Sequence, residues 1–127
     1  MTTAKQQILA AGIKTAELLA HASYRESCYQ KVLGHLLRPH FTVHLEVPVT
    51  FRLSDQFIYG TGRIDLVCTH KATDETFVIE IKANVKEHIL AHLGQLARYC
   101  KHYSCHGGLL IYFKGWTKTI TTHCLGC

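Results

Sequence analysis

The chain is expected to fold as an α/β domain, a central mixed β-sheet with helices on its faces. The order of periodicities predicts this. Two stretches of helical spacing open the sequence, three apolar runs with period-two alternation follow, and a long amphipathic stretch precedes a further strand after the Gly107-Gly108 break. The length of 127 residues suits one sizeable core rather than two ordinary domains. No composition shift marks a linker and no repeat or low-complexity segment interrupts the pattern, so residues 1–127 read as a single domain.

The first helix is predicted from about Thr3 to His21, the second from Ser23 to Arg38, where Pro39 ends it. Tyr29, Val32, Leu33, Leu36 and Leu37 form the apolar stripe of the second helix, and Glu26, three before Tyr29 and seven before Leu33, extends that stripe. Glu26 is therefore expected to point toward the core. A competing reading makes Ser23 the N-cap and Glu26 its capping-box partner, which would use the carboxylate locally. Strands follow at about Thr42 to Leu53, Gly62 to Cys68 and Phe77 to Ile81, the last two joined by the polar hairpin loop His70 to Thr76. A long helix is predicted from about Val85 to Tyr103. Its buried stripe would be Ile89, Leu93, Leu96 and Cys100; His88, His92, Gln95, Tyr99 and His102 make a second stripe, by itself most simply a solvated side. Strands at Gly108 to Phe113 and near Thr117 to Thr122 complete the order.

The charges inside the strands carry the functional signal. In the run Phe77 to Lys82, two charged residues interrupt an apolar, β-branched stretch, and alternation puts Glu80 and Lys82 on one face. Isolated charges are costly to bury, so these are expected to pair with each other, with a metal or with a substrate; the plain alternative is the wet face of an edge strand. Asp65 stands in the middle of the neighbouring run Arg63 to Cys68. Its plain alternative is a structural Asp capping a turn beside Gly60-Thr61-Gly62, as Asp is depleted from strand interiors. Adjacent strands would bring Asp65, Glu80 and Lys82 together. Paired carboxylates repel, which raises at least one pKa and makes the site ready for a divalent cation; oxygen ligands suit Mg²⁺ or Mn²⁺ rather than zinc.

The helix Glu, the strand Asp and the Glu-x-Lys pair, in this order, resemble the PD-(D/E)XK nuclease superfamily, and more finely its small GxxExxY proteins. Glu26, Ser27, Cys28 and Tyr29 fit the ExxY half of that signature, with Ser23 where its glycine belongs. Val47-Pro48-Val49, the QxxxY of RecB-like members in Gln95 and Tyr99, and the Gly108 to Phe113 strand extend the likeness over about residues 10 to 115. The resemblance implies a PD-(D/E)XK nuclease-like core and metal-dependent phosphodiester hydrolysis. Asp65, Glu80 and the Ile81 carbonyl would hold Mg²⁺ or Mn²⁺, with Glu26 acting through a metal-bound water or a second ion. Lys82 and Gln95 would complete the catalytic set, Lys82 stabilising the charge that develops on the phosphate. Tyr99, Tyr29 and His92 are the expected substrate or supporting contacts. The implied partner is nucleic acid, with DNA favoured and structured or branched DNA among the candidates, as in repair and recombination. The short chain is like junction-resolving members that act as homodimers.

Charge and cysteines leave two other readings. A net charge of +5 with ten histidines favours polyanions, although Lys and Arg are scattered, and a non-catalytic nucleic-acid-binding module of the same fold would share it. Cys100, Cys105, Cys124 and Cys127, with His102, His106 and His123, raise a zinc-binding regulatory protein; ordinary reduced thiols are the expectation. An early Cys28 with a late Cys124 and Cys127 pair falls short of the iron-sulfur pattern of some RecB-like nucleases. No apolar stretch approaches a membrane span and no cleavage pattern follows the start, so an intracellular protein of cytoplasm or nucleus is expected, with no membrane partner. No P-loop, nucleophile elbow or dinucleotide fingerprint supports an ATPase, hydrolase or dehydrogenase of those kinds.

Overall fold

The computed structural model of the chain describes residues 2–126. Its elements follow in the order α1 (Ala4–Leu18), α2 (Glu26–Leu37), β1 (Phe41–Ser54), β2 (Phe57–His70), β3 (Thr76–Ala83), α3 (Ile89–His102), β4 (Gly107–Phe113) and β5 (Ile120–Leu125). The strands form one sheet in sequence order; β3 and β4 run parallel, joined through α3, and the other neighbours are antiparallel. This is the mixed sheet expected of an α/β domain.

Two cores sandwich the sheet. Ile8 and Ala16 of α1 and Tyr29, Leu33 and Leu37 of α2 pack on Leu66, Ile79, Ile81, Leu109 and Ile111. Leu96 and Tyr99 of α3 pack on the other face with Ile64, Val78, Leu110 and Tyr112. Because both faces of β3 are covered, its sequence is a nearly continuous apolar run, and Glu80 and Lys82 share the α3 face with Val78.

Several boundaries differ from the sequence expectation, each for a local reason. Helix α2 begins at Glu26, not Ser23: Arg25 is its N-cap and makes no side-chain cap bond, so the Ser23–Glu26 capping box does not form. Helix α1 ends at Leu18, and His21 beyond it turns into the left-handed region. Helix α3 starts at Ile89 rather than Val85. Asn84 is left-handed, at φ 58°, and its side chain accepts from the Gly115 N–H while donating to the Tyr24 carbonyl, which stops β3 and holds the next residues as a loop. Its fully packed residues are Leu96 and Tyr99, whereas Ile89 is exposed and Leu93 and Cys100 are half-buried. Strand β2 begins at Phe57 rather than Gly62, since it pairs along β1 as far as the Asp55-Gln56 turn. Strand β5 lies three residues later than expected.

The β1–β2 hairpin rolls over in its middle. Val43 and Leu45 belong with the α1/α2 core, yet Val47, Val49 and Phe51, at the same parity, belong with α3; Leu66 and Ile64 divide in the same way. The roll is centred on Glu46, left-handed at φ 55°, and on Asp65 opposite it, a position at which the β1–β2 ladder has no pair. Alternation cannot survive a left-handed residue, so each strand presents one half to each layer.

Close approach of α3 to β4 depends on Gly108. A Cβ there would lie 2.6 Å from the Cys100 Sγ and 3.0 Å from the Leu96 Cδ1, and Leu96 is fully buried with no room to retreat. Gly108→Ala is expected to cost about 1–3 kcal/mol, the usual range for overpacking. Urea unfolding followed by circular dichroism measures it; an unchanged midpoint would show that α3 rides freely on the sheet.

Candidate active site

Antiparallel pairing of β2 with β3 ends at Leu66 opposite Ile79. The next rung would set Asp65 opposite Glu80. There the side chains take over from the backbone: the Asp65 N–H donates to Glu80 Oε1 at 3.1 Å, and the Ile81 N–H donates to Asp65 Oδ2 at 2.8 Å. Asp65 thus lies in a gap in both of its ladders, with Glu46 on its other side. The turn-cap reading of Asp65 does not apply, since Gly60-Thr61-Gly62 is strand. In a strand the N–H and C=O of one residue project the same way. The Ile81 carbonyl is therefore directed into the same opening as its N–H.

Glu80 is 2% exposed and makes no ion pair among the described residues; the salt bridges there are Lys14–Glu17 and Lys114–Glu87. The wet-edge reading of Glu80 is excluded by this burial. So is direct pairing of Glu80 with Lys82, whose Nζ instead donates to Gln95 Oε1 at 3.2 Å. Burial, and then the neighbouring Asp65 charge, push the Glu80 carboxyl up to about 8. Burial also raises Asp65, opposed by the Ile81 N–H and Lys82 and aided by Glu46. Burial and mutual repulsion thus both favour the neutral form of one carboxyl in the pair, Glu80 above all. Glu26, half-buried at the start of α2, is raised by burial and feels both Lys82 and Asp65.

Helix α3 supplies a relay. Gln95 Nε2 donates to the Tyr99 hydroxyl at 3.2 Å, and the Arg63 backbone bonds the same hydroxyl. Burial raises the Tyr99 pKa. Tyr99 fits because Gly62 leaves space on β2: a Cβ there would stand 2.8 Å from its ring. One turn before Gln95, His92 is hydrogen-bonded through Nδ1 to the Tyr112 hydroxyl, and its pKa is lowered by desolvation and by Lys82 and His88. Of the second stripe, His92, Gln95, Tyr99 and His102 therefore lie along the sheet, whereas His88, the N-cap of α3, is exposed. Tyr29 is different. It is 1% exposed, stacks on Phe113 in the α1/α2 core and has no hydroxyl partner among the described residues, so its ring supports α2.

The donor set fits a hard divalent cation: two carboxylates meet beside the Ile81 main chain, all oxygen donors, with no salt bridge to either carboxylate among the described residues. Among the described residues no three His, Cys, Asp or Glu side chains gather closely enough to hold a metal by themselves. Glu26 therefore stands outside direct reach of the Asp65–Glu80 pair. Of the four cysteines considered for zinc, Cys127 lies outside the described residues. Burial pushes the Cys68 thiol up to about 12, which marks an inert core thiol. Glu46 was not anticipated from sequence. Its only trace there is a charge between apolar residues of one parity, indistinguishable from any outward-facing strand position.

The Glu80 pKa sets a pH dependence. Below about pH 4.5 the carboxyl is protonated in folded and unfolded chains alike; between about 4.5 and 8 the unfolded chain alone ionises. Stability of the ion-free protein should therefore fall as pH rises through that window. Glu80→Gln keeps an acceptor for the Asp65 N–H and offers an amide N–H to Asp65, so it should raise the melting temperature at pH 8 by several degrees and by much less at pH 5. Calorimetric scans in chelator at the two pH values measure this, and an equal change at both would mean that Glu80 is ionised in the fold.

The sequence profile of the PD-(D/E)XK nuclease superfamily matches residues 3–122. A solved structure titled "Crystal structure of SSO0001" is similar in fold, with a TM-score of 0.54 at 17% identity, covering 97% of this chain and 77% of that one. No curated protein sequence matches. No helix among the described residues is long and apolar enough to cross a membrane. A mixed sheet between helical layers, an Asp and a Glu-x-Lys meeting where two of its strands part, and a match over nearly the whole chain have one reading: the chain belongs to the PD-(D/E)XK nuclease superfamily.

Proposed function

We propose that the chain is a metal-dependent nuclease that hydrolyses phosphodiester bonds, with DNA, including structured or branched DNA, as its favoured substrate. One observation carries the reading: a buried pair of carboxylates, interlocked with backbone amides and making no salt bridge among the described residues, has Lys82 on the same strand face, held by Gln95. Neutral residues would stabilise this position better, so its arrangement is best accounted for by a charge that arrives from outside.

Asp65, Glu80 and the Ile81 carbonyl would hold Mg²⁺ or Mn²⁺, with Glu26 acting through an intervening water or a second ion. Such an ion supplies a more acidic water and neutralises phosphate charge. Lys82 donates from Nζ to the attacking water or to the non-bridging phosphate oxygens, where charge builds in the transition state. Gln95 fixes the Lys82 side chain, and Tyr99 fixes Gln95, so the ammonium meets the phosphate without first losing rotamer freedom. Glu26 and Tyr29, with Ser23 at the glycine position, support assignment to the GxxExxY group: the carboxylate faces the site and the tyrosine anchors its helix.

The direct test is cleavage of linear, single-stranded and four-way-junction DNA and of RNA, in Mg²⁺, in Mn²⁺ and in chelator. Ion-dependent cutting is expected, and Glu80→Gln should abolish it. Lys82→Ala should slow single-turnover cleavage by on the order of 10²-fold or more, while binding measured in Ca²⁺ changes little. A Lys82→Ala protein that binds poorly yet cuts at the wild-type rate once saturated would reduce Lys82 to an anchor. Absence of cutting on every substrate would leave a binding module.

A further inference from the structure

The β1–β2 hairpin carries a feature that hydrolysis does not use. Register along the pair changes between Phe51, opposite Gly60, and Arg52, opposite Ile58, which leaves Tyr59 as the extra residue of a bulge. A bulge re-aims a side chain. It brings the Tyr59 ring to 6.0 Å from Phe51 and 5.8 Å from His102 on the α3 side, where its neighbour Gly60 already faces Phe51. His102 locks the ring in place. The Arg52 N–H donates to Nδ1 at 3.3 Å, so the neutral imidazole carries its proton on Nε2 and donates to the Tyr59 oxygen at 2.9 Å.

Tyr59 is nevertheless 48% exposed. A ring held on one side and open on the other is a stacking platform rather than a core residue. Arg98, one turn before His102, places its guanidinium 5.7 Å above the Phe51 ring of the same cluster, and Arg52 is exposed beside it. The platform continues the candidate active site through Lys82, Gln95, Tyr99 and Phe51. From Gln95 to His102 is seven residues of helix, ~10 Å along the axis, or roughly three stacked nucleotides at ~3.4 Å each.

We infer that Tyr59 and Arg98 form a subsite for unpaired nucleotides flanking the scissile phosphate, a base stacking on the exposed Tyr59 face and Arg98 contacting the backbone phosphate. Stacking of this kind requires an unpaired base, because a duplex keeps its base faces covered. The site therefore prefers single-stranded segments over blunt duplex. This inference rests on the nucleic-acid reading proposed above, and it is separable from cleavage because the test reads binding.

The experiment is fluorescence anisotropy of a labelled single strand of about 15 nucleotides and of its duplex in Ca²⁺, with the wild-type protein and the Tyr59→Ala, Tyr59→Phe and Arg98→Ala variants. Tyr59→Ala is expected to weaken single-strand binding roughly tenfold or more with little change for duplex. Tyr59→Phe keeps the ring and its Phe51 contact and loses only the bond to His102, so it should retain clearly more affinity than Tyr59→Ala and controls for damage to the hairpin. Arg98→Ala should weaken single-strand binding and make its salt dependence shallower by about one unit. Equal loss on both substrates, or none on the single strand, overturns the subsite. Sedimentation in which wild type is dimeric and Tyr59→Ala monomeric also overturns it, by giving the platform to a second copy. Tyr59-dependent single-strand binding without any cleavage would uphold the subsite and defeat the nuclease reading.

Discussion

Two hydrogen bonds organise this molecule at the point where its sheet comes apart. Asp65 N–H to Glu80 and Ile81 N–H to Asp65 replace the backbone rung that β2 and β3 would otherwise make. Two like-charged groups set opposite each other on a ladder destabilise it. Burial and mutual repulsion push the Glu80 carboxyl up to about 8, which moderates the conflict by favouring its neutral form. What the fold gains is an opening lined by oxygens, reached from β2, β3 and the start of α2 at once. The stability lost there is offset by apolar layers that cover both faces of β3.

The surrounding structure reads as support for that opening. The left-handed Glu46 and the roll of the hairpin carry Ile64, Val47, Val49 and Phe51 over to the α3 side, which gives Tyr99 a wall to stack on. Tyr99 then holds Gln95, and Gln95 holds Lys82. The Lys82 side chain is fixed by a neutral amide, while its charge acts on Glu26, Asp65 and Glu80 without a salt bridge to any of them. On the opposite face Tyr29 stacks on Phe113 and sets α2, so that Glu26 arrives near Asp65 and Lys82. The same helix face that presents Gln95 continues to His102, so one element orients both the candidate reaction centre and the aromatic cluster beyond it.

Much of this was legible from residues alone, and the reasons are specific. Glu80 and Lys82 announced themselves because charges are expensive in an apolar strand, and adjacent strands with a short loop left Asp65 few places to be. Tyr99 and Gln95 followed from the likeness to RecB-like members, since helical spacing alone made their stripe most simply a solvated side. The roll was hidden, because Val43, Leu45, Val47, Val49 and Phe51 make an unbroken period-two pattern that predicts one face, while the backbone at Glu46 divides them between two. The bulge at Tyr59 was hidden for the same reason, as one unpaired residue leaves no signature in composition. Gly60 and Gly62 misled in the other direction: they resemble turn residues, and instead make room within a strand for Phe51 and Tyr99. Ser23 and Glu26 matched a capping box in spacing, and the helix simply started three residues later.

In the proposed reading, the Asp65–Glu80 pair holds a proton that a divalent cation would displace. Calorimetric titration with Mn²⁺ at pH 7, repeated in buffers of different ionisation enthalpy, counts the protons displaced on binding. The account predicts release of about one proton per ion in the wild-type chain, in line with a Glu80 pKa of about 8, and none in Glu80→Gln, whose affinity should also be weaker. Tight Mn²⁺ binding with no proton released by the wild-type chain would contradict it.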